Sequence, residues 1–337
     1  MPQARSFDLV CPAGSLPALK AAVDAGADCV YTGFRDATNA RNFAGLNFSA
    51  ADLAQGIRYA REHGVGVYLA INTYPQPGGW HQWCAAVDRA AELQADAVII
   101  ADIGLLDYAA KRHPQLRLHL SVQGSATTYE ALNFCRERFG ITRAVLPRVL
   151  TLAQVENVIE RSDVEIEVFG FGSLCVMVEG RCALSSYVTG DSPNTKGACS
   201  PAHAVRWQPS PKGLEARLNG VLIDTYAEGE KAGYPTLCKG RYRSSDDLYY
   251  AIEEPASLNT LDILPQLHRA GVRAIKIEGR QRSPAYVAEV TRIWRRAIDA
   301  LLRDGPRFAL ERGWKASLER LAEGQQHTLG AYHRPWK

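Results

Sequence analysis

The sequence has no hydrophobic run that approaches the roughly 20 residues of a transmembrane helix. Its start, MPQARSFDLVCPAGS, lacks the basic and then apolar build of a secretory signal peptide. Net charge is also scarce: 39 basic and 36 acidic side chains leave +3, too little to indicate nucleic-acid binding by itself. These absences predict a cytoplasmic protein with no membrane span and no nucleic-acid partner. Its 337 residues allow one large α/β domain with an insertion, or two ordinary domains.

The eight cysteines lack the spacings of common metal motifs, since the chain has no C-x₂₋₄-C pair and no tight three-cysteine run. Cytoplasmic thiols stay reduced, so metal ligands and buried thiols are favoured over disulfides. Four of them lie in one stretch, with 6, 16 and 38 residues between them, and could together hold a metal or an iron–sulfur cluster: Cys175, Cys182, Cys199 and Cys238. Spacing alone supports a cluster, a zinc ion and unrelated buried cysteines about equally. The last interpretation fits three that lie within strand or helix patterns, Cys29, Cys84 and Cys135.

Short apolar runs alternate with helix patterns along the chain, and this alternation predicts a parallel sheet. Capping signals support the helices, among them Thr127-x-x-Glu130, Thr151-x-x-Gln154 and Ser283 before Pro284. Eight such units favour a (β/α)₈ barrel of the TIM type. The predicted strands are Leu9–Pro12, Cys29–Gly33, Val65–Asn72, Ala97–Ala101, Leu116–Val122, Ala144–Pro147, Val164–Phe171 and Val272–Ile277.

A doubly wound sheet is the weaker alternative, because C-P-A-G-S after the first strand is not the glycine loop G-x-G-x-x-G. An irregular segment rich in Gly, Pro, Ser and Tyr interrupts the seventh unit, and ligation by its cysteines would supply the order that it lacks. We therefore predict barrel units one to seven in residues 1–182, a cluster-binding insertion in 183–255, the final barrel unit in 256–303 and a C-terminal tail in 304–337.

Polar and charged side chains follow the predicted strands, where the active sites of such barrels lie. Several cations at one mouth suit a small substrate with more than one negative charge, because arginine pairs with carboxylates through two hydrogen bonds. Ordinary ion pairs are the alternative for any single residue; Lys276, for example, shares a face with Glu278. The predicted substrate-binding set is Arg41, Asn72, Gln123, Arg148, Lys276, Glu278 and Arg280.

Two further features carry less information. His119 and Ser121 alternate with apolar residues along the fifth strand, and we interpret them as barrel interior, structural or substrate-lining, and not as a protease pair. The aromatic and basic tail Gly330–Lys337 either docks on a partner or packs on the barrel.

The segment Glu167–Ser185 matches E-x-F-x-x-G-S-L-C-x-x-x-x-G-x-C-x-L-S, and the chain thereby resembles the collagenase-like peptidase family. Stretches along the whole chain resemble the ubiquinone-biosynthesis branch of that family. They include C-P-A-G-S-L-P-A-L-K-A-A, T-N-A-R-N-F-A-G-L-N-F, S-P-N-T-K-G-A-C-S-P-A, G-Y-P-T-L-C-K-G-R-Y, K-I-E-G-R-Q-R-S-P-A-Y-V and T-L-G-A-Y-H-R-P-W-K.

This resemblance implies an enzyme, an oxygen-independent hydroxylase of the aromatic ring of ubiquinone precursors. It implies a [4Fe–4S] cluster on Cys175, Cys182, Cys199 and Cys238, and a heterodimer with a paralogous subunit, UbiV. Prephenate is the implied hydroxyl donor in place of dioxygen. A lipid-carrying accessory protein is also expected, because a chain without a membrane segment is poorly suited to extract a polyprenylated ring.

Three alternatives to this function remain. An RNA-base hydroxylase of the same family would need a broad basic surface, which a net charge of +3 does not support. A non-catalytic iron–sulfur subunit would leave the active site to its partner. A peptidase is the weakest reading, because the sequence has no recognisable nucleophile, base and orienting group and no catalytic zinc motif.

Overall fold

The computed structural model describes residues 7–334 and contains a closed barrel of eight parallel strands surrounded by helices. The TIM-type (β/α)₈ fold predicted from the sequence is confirmed. Within the described residues the strands are β1 Asp8–Pro12, β2 Cys29–Thr32, β3 Gly66–Ile71, β4 Ala97–Ile100, β5 Leu118–Leu120, β6 Ile141–Val145, β7 Glu165–Ser173, β8 Val205–Ser210, β9 Gly213–Leu218, β10 Val221–Tyr226, β11 Arg241–Ser244, β12 Asp247–Tyr250, β13 Ser257–Asn259, β14 Ala274–Ile277 and β15 His327–Thr328.

The barrel consists of β1 to β7 in chain order and closes through β14. Ala274 of β14 pairs with Asp8 on one side and with Glu167 on the other. Apolar side chains on one face of the strands pack against the helices, while Val10, Tyr31 and Tyr68 belong to a smaller cluster on the other face. Burial on both faces explains why the strands read as continuous apolar runs.

The helices of the described chain are α1 Leu16–Asp24, α2 Ala50–Glu62, α3 Trp80–Glu92, α4 Ile103–Arg112, α5 Tyr129–Phe139, α6 Leu152–Glu160, α7 Leu184–Thr189, α8 Pro193–Lys196, α9 Leu264–Ala270, α10 Pro284–Asp304 and α11 Arg312–Leu321. The capping box at Thr151 and the cap at Ser283 are confirmed. The box predicted at Thr127 is wrong, because Thr128 caps α5 by accepting a hydrogen bond from the Ala131 amide.

Between β7 and β13 the structure is more regular than the predicted irregular insertion. Strands β8, β9 and β10 form an antiparallel sheet, and β11 pairs with β12. Most β8 side chains are exposed, so this segment carries no apolar alternation that would reveal a strand. The short strand β13, also absent from the sequence prediction, runs antiparallel to the end of β7 and parallel to β15.

The C-terminal tail packs on the barrel as far as Arg334. A left-handed backbone at Gly330, with φ of +55°, brings it so close that an added Cβ would lie 2.8 Å from Leu174 Cδ1. The last residues of the predicted tail, 335–337, lie outside the described residues. From residue 7 to residue 334, no helix combines the length and the hydropathy needed to cross a bilayer.

Charged groups lie inside the barrel as well as at its mouth. Arg143 donates to Asp8 Oδ2 at 2.7 Å and to Glu165 Oε2 at 2.9 Å. His119, 1% exposed, packs its ring edge-on against Tyr68 at a centroid distance of 4.8 Å, and its Nε2 atom is buried without a hydrogen-bond partner. The prediction that His119 and Ser121 belong to the interior is confirmed by their burial.

Acid should destabilise the barrel through His119. Burial, with smaller contributions from Arg143, Arg117 and Lys276, holds the pKa of this imidazole well below its ordinary value. Below about pH 6.5 the unfolded chain binds a proton that the folded chain excludes, so the free energy of unfolding falls as the pH drops, by at most about 1.4 kcal/mol per pH unit. Urea denaturation between pH 7 and pH 5 should show a shallower pH dependence in His119→Leu than in the wild type.

The same replacement at an exposed site, His81→Leu on α3, supplies the control. Equal pH dependence in the wild type and in His119→Leu would contradict the assignment.

Candidate active site at the barrel mouth

Loops at the carboxyl ends of the barrel strands bring the predicted charged residues together. Arg41 lies in the loop after β2 and Arg148 follows β6, while Glu278 and Arg280 follow β14. Glu278 receives hydrogen bonds from Arg41 Nη2 at 3.3 Å and from Arg148 Nη2 at 2.6 Å. Side chains separated by more than 100 residues in the chain therefore meet at one end of the barrel, as in other barrels of this type.

Arg148 contacts two carboxylates and an aromatic ring. Its guanidinium donates to Glu179 Oε1 and to Glu278 Oε2, both at 2.6 Å, and lies 3.6 Å from the centroid of the Phe169 ring. Burial acts to lower its pKa, but the two carboxylates raise it above the ordinary value. Arg148 is thus a fixed positive charge that orients both glutamates.

The two carboxylates that share Arg148 have pKa values shifted in opposite directions. Burial raises the pKa of Glu278, but Arg148 and Arg41 outweigh it and leave the pKa below the ordinary value. The pKa of Glu179 is raised, chiefly by burial, and its Oε2 atom is buried without a hydrogen-bond partner. Glu278 is therefore the more readily ionised of the pair, and Glu179 is the better placed to hold a proton.

Arg280 differs from its neighbours because it forms no ion pair with a carboxylate among residues 7–334. It is 7% exposed, and its Nη1 donates to Asn39 Oδ1 at 2.7 Å. Burial lowers the pKa of its guanidinium to about 10, and the nearby Arg41 also acts to lower it. A buried cation without an anionic partner costs free energy, so this position suits an anionic ligand.

Lys276 lies deeper in the barrel and is paired. Its Nζ donates to Glu167 Oε1 at 2.6 Å and lies 3.9 Å from the centroid of the Tyr31 ring. Glu167, on the neighbouring strand β7, is thus its partner instead of Glu278. Of the four cations expected to converge on a substrate, three are already paired with glutamates.

Asn72 and Gln123 support loops at the mouth. Asn72 Oδ1 accepts a hydrogen bond from the Ala40 amide at 3.1 Å. With its amide nitrogen turned toward them, Gln123 donates to the carbonyl oxygens of Asn72 and Asn194 at 3.0 and 3.2 Å. Both side chains therefore hold the backbone around the site.

The four candidate ligand cysteines lie near one another in the fold. Burial raises the pKa of the thiols of Cys175, Cys199 and Cys238, to about 11 for Cys238, and Cys199 interacts electrostatically with the other three. Neighbouring cations act to lower these pKa values. Arg148 does so for Cys175 and Arg41 for Cys199. Lys239 does so for both Cys199 and Cys238. Thiolates would thus be formed beside fixed cations.

The donor set fits an iron–sulfur cluster in type and number, with four thiols and neighbouring positive charge. Among residues 7–334, however, no three Cys, His, Asp or Glu side chains already surround a common metal position. Ligation would therefore draw the thiols together. Their role as ligands stays a prediction.

The other four cysteines have ordinary structural surroundings. Cys29 donates to the Tyr68 hydroxyl at 2.8 Å, and Cys11 accepts a hydrogen bond from Thr291 at 3.2 Å. Cys135 is buried in α5, and Cys84 is partly buried in α3.

A serine–histidine pair of the protease type is not formed by His119 and Ser121. Ser121 Oγ accepts a hydrogen bond from the Gln123 amide at 3.2 Å, while the Nε2 atom of His119 has no partner.

The sequence reasoning missed several residues of the site. Glu179 lies inside the cysteine signature and Asn39 inside T-N-A-R-N, so both stood beside predicted residues. Lys239 directly follows Cys238 within G-Y-P-T-L-C-K-G-R-Y, whereas Tyr31 carried no comparable signal.

Comparison with known proteins identifies the family that this chain matches. The pattern of peptidase family U32 matches residues 14–335. The chain is 28% identical to tRNA hydroxylation protein P1 of Bacillus subtilis, over 95% of this chain and 70% of that protein. It is 32% identical to an uncharacterized protease of Methanocaldococcus jannaschii, over 97% of this chain and 73% of that protein. A solved structure of a U32 peptidase aligns with 83% of this chain and 96% of its own, at 13% identity and a TM-score of 0.48.

Proposed function

We propose that this chain, which belongs to peptidase family U32, is a hydroxylase and not a peptidase. A relative that aligns along 95% of the chain is named a tRNA hydroxylation protein. The described residues of the mouth are a network of arginines, glutamates and a lysine, without the serine–histidine pair that a serine peptidase would use.

In finer terms, we propose an iron–sulfur subunit of an oxygen-independent hydroxylase that acts on the aromatic ring of ubiquinone precursors. The basis is the resemblance of stretches along the whole chain to the ubiquinone-biosynthesis protein UbiU. The partners proposed on the same basis are the paralogue UbiV and a lipid-carrying protein that presents the precursor.

A [4Fe–4S] cluster would be held by Cys175, Cys182, Cys199 and Cys238. When bound, it would supply either a site that activates the departing oxygen or a relay for electrons. Two features of the described residues support it: cations beside the thiols partly offset the effect of burial on the thiol pKa, and Arg148, which acts on Cys175, also pairs with Glu278 after β14.

The buried guanidinium of Arg280 is the main support for prephenate as the hydroxyl donor. A buried guanidinium without a carboxylate partner in the described chain would be completed by a carboxylate of the substrate. Prephenate has two carboxylates, and its ring becomes aromatic when the ring hydroxyl and the ring carboxylate both leave, the latter as carbon dioxide. Transfer of that hydroxyl oxygen to a C–H bond of the acceptor also releases two electrons and two protons, so the proposed reaction requires a two-electron acceptor. Glu179, with its raised pKa, is the candidate to hold a proton near this ligand.

A second candidate function, hydroxylation of an RNA base, is favoured by the name of the relative from Bacillus subtilis. The net charge of +3 argues against it, since RNA-binding proteins usually carry a broad basic surface. The two candidates share the fold, the cysteines and the donor site, and they differ in the acceptor.

An anaerobic assay of the purified complex separates the candidates. With prephenate supplied, we expect hydroxylation of the quinone precursor and none of transfer RNA. Modification of RNA alone would replace the proposed acceptor by the second candidate. Full activity of a complex carrying Arg280→Met in this chain would place the donor site in the partner, as expected of a non-catalytic subunit.

A further inference from the structure

Cys238 occupies a short turn that depends on its neighbours for its position. The turn Leu237–Lys239 is a single 3₁₀ turn without a side-chain cap. The carbonyl oxygen of Cys238 accepts a hydrogen bond from the Glu253 amide at 3.1 Å. Lys239 thus follows Cys238 in sequence, and the backbone of Glu253 contacts the backbone of Cys238.

Lys239 is buried, at 3% exposure, and its charge is matched by a residue from the far end of the chain. Its Nζ donates to Glu323 Oε2 at 2.6 Å, and also to the carbonyl oxygen of Ala256 at 3.3 Å and to Ser173 Oγ at 3.4 Å. A buried ammonium needs such a partner, because removing one member of a buried pair leaves the other charge uncompensated.

Glu253 forms a second link to the same end of the chain. Its side chain is 7% exposed, and Arg334 Nη2 donates to its two carboxylate oxygens at 2.7 and 2.5 Å. The two residues adjacent to Cys238 are thus tied by separate ion pairs to positions 323 and 334.

The C-terminal segment, residues 323–334, is itself fixed to the barrel. Its strand β15 pairs with β13, and the Glu323 amide donates to Ser257 Oγ at 2.8 Å. Gly324 has φ of +59°, and a Cβ there would lie 2.3 Å from the carbonyl oxygen of Pro255, so the segment lies too close for any other residue. A rigid support therefore reaches the Cys238 turn at two points.

We infer that the C-terminal segment is a positioning element for the Cys238 thiol, acting through the pairs Lys239–Glu323 and Glu253–Arg334. The inference rests on the proposed function insofar as Cys238 is a cluster ligand. Without these pairs, the short turn would open more often, and its thiol would spend less time near the other three.

The test uses Glu323→Gln and Glu253→Gln in the full-length chain, since each keeps the shape of the side chain and removes its charge. In apoprotein, alkylation of Cys238 by iodoacetamide, followed by peptide mass spectrometry, should be faster by about tenfold or more in Glu323→Gln, in which a buried pair is broken. The acceleration should be smaller in Glu253→Gln, because the Arg334 side chain is exposed. Alkylation of Cys182 in the same samples should be unchanged. Iron release from holoprotein to a chelator should also accelerate.

Asp163→Asn, which breaks an exposed pair with Arg136 at 3.1 Å, is the matched control and should leave both rates unchanged. The inference would be overturned if Cys238 in both glutamine variants were alkylated at the same rate as in the wild type. Equal acceleration at Cys182 would also overturn it, because the loosening would then extend well beyond the Cys238 turn. Selective acceleration at Cys238 in a protein that binds no iron would support the positioning role and refute the ligand role, which keeps the two claims separate.

Discussion

Replacing Cys199 by alanine should abolish cluster binding, whereas Cys135→Ala should leave it intact. Cys199 is the thiol that interacts electrostatically with each of the other three. Cys135 is buried in α5, away from these partners. We expect anaerobically prepared wild-type protein to be brown and to contain iron and sulfide in equal amounts, about four of each per chain.

Metal analysis and visible spectroscopy of the three proteins check this expectation. In Cys199→Ala the iron content and the visible absorption should both be lost, while thermal unfolding shows that the barrel persists. Stoichiometric zinc without sulfide in the wild-type preparation would refute the cluster. Loss of iron in Cys135→Ala would show that the four ligands are wrongly assigned.

Much of the barrel could be predicted from the sequence because its signals are local. Buried strands appear as apolar runs, and helices begin at Ser49, Thr151 and Ser283, each of which accepts a backbone hydrogen bond as its cap. The strands β8 and β13 could not be predicted in this way. One is mostly exposed and the other has three residues, so neither carries a pattern long enough to identify.

The site was predictable in position but not in pairing. The rule that functional residues follow barrel strands placed Arg148, Glu278 and Arg280 at one mouth. Nothing in the sequence indicated that Arg148 would pair with both Glu179 and Glu278. Nor did it indicate that Lys276 would pair with Glu167 on the neighbouring strand β7. Such pairings depend on contacts between residues 31 to 130 positions apart, and these contacts exist only once the barrel has closed.

A second large effect is expected at the one cation of the mouth set that has no carboxylate partner in the described chain: Arg280→Met should weaken donor binding without loss of stability. Burial disfavours the charged guanidinium, so methionine relieves a cost of desolvation. Asn39 Oδ1, which loses this donor, still accepts a hydrogen bond from the Arg41 amide at 3.1 Å. Loss of one or two charge-assisted hydrogen bonds, each worth roughly 1.5–3 kcal/mol, should weaken prephenate binding by about tenfold or more.

Calorimetric titration of the cluster-loaded complex with prephenate measures the affinity, and chemical denaturation measures the stability. Arg282→Met removes an exposed cation from the same loop and should change neither result. Arg148→Met should differ in kind, because it leaves Glu179 and Glu278 without their shared cation and should destabilise the fold by about 3–5 kcal/mol. If Arg280→Met lowered stability as Arg148→Met does and left prephenate affinity unchanged, Arg280 would be a structural residue, and the donor would have to bind in the partner subunit.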